Sequence, residues 1–191
     1  MELCENGEDG KSLLHISCSN EMLVIRNLDQ VGSREGDLGG STTVGFLRSD
    51  KAHGLCKRVD HMIFENFKEN LWNVHLIEMK SGVTSNEKWI DIKGKFRASY
   101  LLAHMIASVL EIKIETTRMY TTYERVDLKP SAENPVVRKA RLGFYAFSPQ
   151  EEWSGEQFAL NINGRRPFQH TPLKMKRNAE GILVGECRLC C

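Results

Sequence analysis

Residues 57–80 read KRVDHMIFENFKENLWNVHLIEMK. Two apolar runs, ending at Phe64 and starting at Val74, flank a polar stretch from Glu65 to Asn73. Short apolar runs bounded by polar residues predict two strands, Lys57 to Phe64 and Val74 to Lys80, joined by a polar loop. Setting Phe64 opposite Val74 puts Met62 across from Leu76 and Asp60 across from Glu78. Alternate side chains share a face, so Lys80 joins Asp60 and Glu78. Val59, His61 and Ile63 fall on the other face with His75, Ile77 and Met79. This register gathers two carboxylates and an ammonium at one end of an otherwise apolar hairpin.

Downstream, residues 81–92 read as a connector containing Ser81-Gly82. A helix is predicted from about Gly94 to Leu110, because Phe96, Tyr100, Ala103, Ala107 and Leu110 recur at spacings of three and four. Glu111 to Tyr123 is strand-like, with Ile112, Ile114 and Thr116 in period-two register. Upstream, Thr43 to Arg48 reads as a strand and Asp50 to Gly54 as a turn, after a Gly-rich loop over 29–41. Leu13 to Cys18 and Met22 to Leu28 form either a hairpin or the start of a helix, and residues 1–11 read as frayed. Pro130 and Pro135 bracket a linker, followed by candidate strands at Leu142–Phe147, Gln157–Ile162 and Ile182–Cys187. Strands, then a helix, then a strand predict an α/β fold, with α+β as the alternative, built on a mixed central sheet with a packed helix. The expected division is a core over 1–128 and a basic C-terminal extension over 129–191, within the same domain or appended to it.

Of the 191 residues, 41% are hydrophobic, enough for a real core. No apolar stretch approaches the roughly 18–20 residues that span a bilayer. Met1-Glu2-Leu3-Cys4-Glu5 is acidic and lacks the layout of a secretory leader, so a cytoplasmic protein is expected. Cys187 and Cys190 lack the second pair, or the histidines, that a structural zinc requires, so the six cysteines are expected as reduced thiols. A formal charge of +1 hides an asymmetry: residues 1–40 hold eight acidic and three basic residues, residues 137–191 five acidic and nine basic. The basic clusters are Arg138-Lys139-x-Arg141, Arg165-Arg166 and Lys174-x-Lys176-Arg177. Arg165, Arg166, Lys174, Lys176 and Arg177 are candidate phosphate contacts; a solvated face is the plain alternative.

Two carboxylates converging at a strand end can hold Mg²⁺ or Mn²⁺ through hard oxygens, with the Met79 carbonyl completing the inner shell. Such an ion serves phosphodiester hydrolysis, and a neighbouring lysine orients water or neutralises charge in the transition state. The plain alternative is a solvent-facing cross-strand cluster, since Glu and Lys are common on exposed strands.

The pattern resembles the PD-(D/E)XK nuclease superfamily: an acid on one strand, (D/E)-x-K on the next, then a helix packed on the sheet. Asp60 matches the first acid, Glu78 the second and Lys80 the lysine, with the resemblance covering about residues 43–123. Val59 stands where the name-giving proline would be. The resemblance implies a restriction-endonuclease-like core and a Mg²⁺- or Mn²⁺-dependent endonuclease, with DNA favoured over RNA. It also implies an earlier acid, for which Glu21 and Glu35 are candidates, and a basic group on the later helix. Lys93, Lys95 and Arg97 surround the expected helix start, where amides and positive charge favour phosphate, and Lys95 is the choice. In the related cap-snatching RNA endonucleases an upstream histidine binds manganese; His15 is the candidate, although between Leu14 and Ile16 it reads as a core residue. His61 and His75 read as packing residues, while His53 and His104 have no evident partner. The rival readings are a catalytically inactive nuclease-like domain that binds nucleic acid, and an interaction subunit, as a homodimer or with another chain.

Overall fold

The computed structural model describes residues 1–7, 10–28, 57–129, 148–155 and 157–189. In chain order the strands are β1 (Glu2–Gly7), β2 (Gly10–Ser17), β3 (Met22–Ile25), β4 (His61–Lys68), β5 (Leu71–Glu78) and β6 (Gly82–Val83). Helix α1 (Asn86–Val109) leads to β7 (Lys113–Tyr123) and β8 (Arg125–Val126). A short helix α2 (Pro149–Trp153) precedes β9 (Ala159–Asn161), β10 (Arg165–Pro167), β11 (Gln169–Lys174), β12 (Lys176–Arg177) and β13 (Leu183–Arg188). The fold is a mixed α/β arrangement with several sheets and few helices, compatible with α+β. The expectations at 29–56 and 130–147, among them the strands at Thr43–Arg48 and Leu142–Phe147, the turn at Asp50–Gly54 and the linker prolines, lie outside the described residues.

The central sheet has the order β11-β7-β5-β4-β3. β3, β4 and β5 are antiparallel neighbours, whereas β5, β7 and β11 run parallel. A parallel pair needs a crossover, and α1 supplies the one between β5 and β7. Side-chain alternation covers both faces. Met62, Phe64, Val74, Leu76 and Met119 meet Trp89, Ile92 and Phe96 of α1. Ile63, Ile77 and Tyr120 face the other way, against Leu3, Leu14, Ile16 and Leu183 of a second sheet ordered β1-β2-β13-β12. The central sheet is therefore the middle layer between a helix and another sheet.

Four local expectations are corrected. Residues 1–7 and 10–11 are not frayed: β1 pairs with β2 from Glu2↔His15 to Gly7↔Gly10, and Leu3 is fully buried. The first predicted strand begins at His61 rather than Lys57. The polar stretch 65–73 is mostly strand, with the turn confined to Glu69 and Asn70, where Glu69 adopts a φ of +47°. Glu65 and Asn73 face each other across the ladder. They are tolerated there because distant side chains satisfy them: Glu65 accepts from Asn20 Nδ2 at 2.9 Å, and Asn73 Oδ1 from Thr116 Oγ1 at 2.6 Å. Finally, α1 starts eight residues before Gly94. Ser85 caps it, accepting from the Lys88 N–H at 3.2 Å, and Trp89 and Ile92 extend the apolar stripe of Phe96.

The described C-terminal residues are built onto these layers: β11 extends the central sheet, β13 pairs with β2, and Trp153, Phe158 and Leu160 enter the helix-side core. At its centre the His170 ring lies 5.0 Å from Trp89 and 5.2 Å from Phe158. Its Nδ1 faces the Trp153 carbonyl at 3.0 Å and must donate, so Nε2 accepts from Thr121 Oγ1 at 3.0 Å. Burial pushes this imidazole down to about 4, against the pull of the Trp153 carbonyl. A depressed histidine binds fewer protons folded than unfolded, so its contribution is complete above pH 6.5 and is lost as pH falls towards 4. His170→Gln keeps a donor and an acceptor without the titration. Urea midpoints of the two proteins should converge by on the order of 3 kcal/mol in relative stability between about pH 7 and about pH 4. A pH-independent difference would locate the acid sensitivity elsewhere.

Candidate functional site

The β4–β5 pairing runs Phe64↔Val74, Met62↔Leu76 and His61↔Ile77, which is the register expected from the sequence. One step beyond it, Asp60 lies against Glu78, and Glu78 in turn pairs with Thr121 of β7. The carboxyl ends of β5, β7 and β11 point the same way, and such an end is where open α/β sheets bind ligands. The approach to Asp60 is fixed by α1: Ser99 Oγ accepts from the buried Val59 N–H at 2.9 Å. Asp60 Oδ2 accepts from the Met79 N–H at 2.5 Å, closing the corner between the two strand ends. Thr122 Oγ1 accepts from the Lys80 N–H at 2.9 Å and so holds Lys80 beside β7.

Asp60 is 1% and Glu78 0% exposed, so this is not a solvent-facing cross-strand pair. Lys80 and Lys95 each place Nζ 2.7 Å from Glu78 Oε1. Lys80 Nζ also donates to the Met79 carbonyl at 3.0 Å and stands 3.8 Å from Asp60 Oδ2, while Lys95 Nζ stands 4.0 Å from Asp60 Oδ1. Two carboxylates thus face two ammoniums. Burial, reinforced by the Asp60 charge, pushes Glu78 up to about 7 despite the two lysines. Burial alone would lower Lys80, but Glu78 and Asp60 outweigh it and hold the ammonium well above the ordinary lysine range. A raised carboxyl binds more protons folded than unfolded, so Glu78 withdraws stability as pH rises from about 4.5 to about 7, opposite in sign to His170. The second oxygen of Glu78, Oε2, is buried and has no hydrogen-bond partner among the described residues.

Four of the residues singled out by sequence, Asp60, Glu78, Lys80 and Lys95, come together. Lys95 does so for a different reason than expected: it lies well inside α1, not at its N-terminus, and reaches Glu78 with its side chain. Met79 contributes its main chain, while its side chain packs in the second core. The basic residues stand elsewhere. Arg165 and Arg166 are exposed on β10, Lys174 ends β11, and Lys176 and Arg177 form β12. Arg177 is committed, with Nε and Nη2 donating to the Glu124 carboxylate at 2.9 and 3.0 Å. Arg138, Lys139, Arg141, Glu35, His53 and Cys190 lie outside the described residues.

The remaining candidates are elsewhere too. Glu21 sits by Asn66, at the opposite end of β4 from Asp60, and Lys93 pairs with Glu152 at 2.7 Å. His15 is not a core residue: its side chain is 48% exposed and lies 3.6 Å from Glu2. His75 does more than pack, since its Nε2 is 2.8 Å from Glu65 and its Nδ1 3.2 Å from the Tyr120 hydroxyl, all buried. His104 stacks edge-on against Tyr100.

Sequence reasoning misses Ser99, Thr122 and Glu5. Ser99 follows Lys95 by one helical turn, a spacing that places both on one line of the helix once Lys95 is chosen. Glu5 shares a face of β1 with Leu3, and its charge adds to the rise at Lys80. Among the described residues, no group of three or more His, Cys, Asp or Glu side chains is arranged to hold a metal ion, and no helix is long and apolar enough to cross a membrane. The chain matches no protein-family model, no curated protein and no solved structure.

Proposed function

We propose that this chain is a Mg²⁺- or Mn²⁺-dependent endonuclease of the PD-(D/E)XK type, acting on nucleic acid with DNA favoured, and that Asp60, Glu78 and Lys80 form its catalytic unit. One observation carries the reading: Glu78 is fully buried at a strand end, yet among the described residues one of its oxygens has no hydrogen-bond donor. An unsatisfied buried carboxylate oxygen is expensive unless a cation completes it. The donor set fits a hard divalent ion, which takes carboxylate, carbonyl and water oxygens. Glu78, Asp60 and the Met79 carbonyl would hold it, and two protein carboxylates are a usual share for Mg²⁺. When bound, such an ion neutralises phosphate charge and makes water more acidic. Lys80, whose Nζ donates to the Met79 carbonyl, would orient the attacking water or meet charge building on the phosphate. The succession of β4, β5, α1 and β7 supports a restriction-endonuclease-like core.

The test is incubation with plasmid, linear DNA and RNA in Mg²⁺, Mn²⁺ or EDTA. Cleavage of at least one substrate, dependent on the divalent ion, is expected. Folded protein that cleaves none of them in Mn²⁺ would leave the inactive, nucleic-acid-binding reading. The cap-snatching variant loses its upstream histidine, since His15 belongs to the far sheet beside Glu2.

Four exposed cations, Arg165, Arg166, Lys174 and Lys176, remain the candidates for binding phosphate. Replacing all four by alanine should flatten the dependence of log affinity on log salt. The expected change is about 0.9 for each phosphate no longer neutralised on duplex DNA, or about 0.7 on a single strand. Arg177→Ala should leave that slope alone, because its guanidinium is engaged by Glu124. An unchanged slope in the quadruple variant would return these residues to solvent or to a protein interface.

A further inference from the structure

On the flank of α1 turned away from Lys95, a cavity of about 400 Å³ opens against the edge of β7. Tyr100 follows Lys95 by five residues, about 140° further round the helix at about 100° per residue. The cavity is walled by Tyr100 and His104 of α1 and by Ile114 and Phe168, with Glu115 and Arg118 of β7 as the two charged residues of its lining. Tyr100 meets Phe168 at 5.0 Å and 70°, and His104 at 4.5 Å and 62°, so the walls are ring faces and ring edges. They are also incompletely covered: Tyr100 and Phe168 are half-buried and His104 is exposed.

The floor adds a second kind of chemistry. β11 joins β7 only from Gln169, opposite Arg118. Before that point β7 pairs on its β5 side, and among the described residues no strand lies on the other. Alternate N–H and C=O groups over Ile114–Thr117 therefore point into the open edge. This free edge runs over residues 113–117 before Phe168 and β11 close it. It offers a planar ligand main-chain donors and acceptors. A third feature is charge: Arg165 and Arg166 are exposed on β10, immediately before Pro167, and Arg166 is close enough to His104 to act with burial in lowering it.

A ring stacked on aromatic side chains, its polar edge read by main chain and its flanking charge met by arginine, is how unpaired bases are held. A base inside a duplex has neither its faces nor its pairing edge free. We propose that this cavity binds one unpaired nucleobase, so that the protein engages single-stranded or locally melted nucleic acid. The inference rests on the nuclease reading for its biological sense, but not for its geometry. Thr117 lies four residues before Thr121, the partner of Glu78, about 13 Å along β7 at strand spacing. The cavity is thus a subsite for a flanking nucleotide rather than for the one cleaved.

The experiment measures binding of a fluorescein-labelled oligonucleotide of about twelve nucleotides, enough to span one such groove, and of its duplex, to the full chain in EDTA at fixed salt. Single strand should bind more tightly than duplex. Tyr100→Leu, which keeps apolar volume and removes the stacking face, should weaken single-strand affinity about 5- to 150-fold, corresponding to about 1–3 kcal/mol for one stacked base. His104→Glu, an exposed change that places an anion at the rim, should weaken it independently of any packing defect at Tyr100. Glu186→Gln, an exposed change on β13 of the other sheet, should bind as the parent does. Parental single-strand affinity in both Tyr100→Leu and His104→Glu overturns the proposal, as does a preference for duplex. If instead both variants lose affinity while the parent cleaves nothing in Mn²⁺, the base subsite stands and the nuclease reading falls.

Discussion

Asp60→Asn and Glu78→Gln should each lower Mn²⁺-supported cleavage by at least about 10³-fold, the scale set by removing a member of an interdependent catalytic group. Amide replacements are the informative ones, and the geometry explains why. From sequence, alanine at either position removes no core volume and is expected to leave the fold intact. In the structure the Asp60 carboxylate accepts the Met79 N–H, and its loss strands a buried donor at about 1–3 kcal/mol. The Asp60→Asn side chain retains an oxygen for that donor while weakening the anionic site. The Glu78→Gln side chain keeps the parental shape and removes the charge facing Lys80 and Lys95. Both variants should also bind Mn²⁺ more weakly by calorimetry, because each replaces an anionic ligand with a neutral one. Full activity in either, with the parent proven metal-dependent, would falsify the assignment.

The two lysines should separate from the acids, and from each other. Lys80→Ala should keep its metal yet cleave about 10² or more times slower, the range for a positioned electrostatic group. Lys80→Arg should rescue poorly, since a planar fork does not replace a compact ammonium beside a carbonyl and a carboxylate. Lys95 bridges toward both carboxylates, 2.7 Å from Glu78 and 4.0 Å from Asp60, and so competes with any cation for the same two carboxylates. Lys95→Met should therefore bind Mn²⁺ more tightly than the parent while melting at a lower temperature in EDTA. If Lys80→Ala loses metal as badly as the acid variants, these residues hold the corner together and the division of labour is wrong.

The hairpin register is legible in sequence because its information is local. Both apolar runs and the polar stretch between them lie within residues 57–80, and a slip of one position would set Asp60 and Glu78 on opposite faces. Lys95 emerges through a misplaced helix start: Ile90 and Ile92, β-branched residues around Asp91, obscure the turn that Ser85 caps. Glu65 and Asn73 read as loop because they are polar. What keeps them in strands is His75 together with Asn20 and Thr116, the last two being partners that no local window contains. The same limit hides Glu5. A short acidic segment at the N-terminus looks frayed until β2, which holds it, is seen to pair with β13 from the other end of the sequence. His15 misleads for a related reason: its apolar neighbours Leu14 and Ile16 share the buried face of β2, so the residue between them points outward.

That β2–β13 pairing also sets a timetable. Asp60, Glu78, Lys80 and Lys95 lie within one short span, on a hairpin and the helix that follows it, and can meet at modest loop-closure entropy. The sheet beneath them cannot: Ser12 waits for Leu183, and Met119 for His170, before either layer is complete. Long-range parallel pairings form late for this reason. During synthesis, the open side of β2 and the flank of β7 are left as adhesive strand edges until β11 and β13 emerge. In a refolding reaction sampled by amide exchange, β4, β5 and α1 should gain protection before β2 and β13. The nucleus of the molecule and its chemistry would then be one and the same piece of chain, with the outer sheet laid over it last.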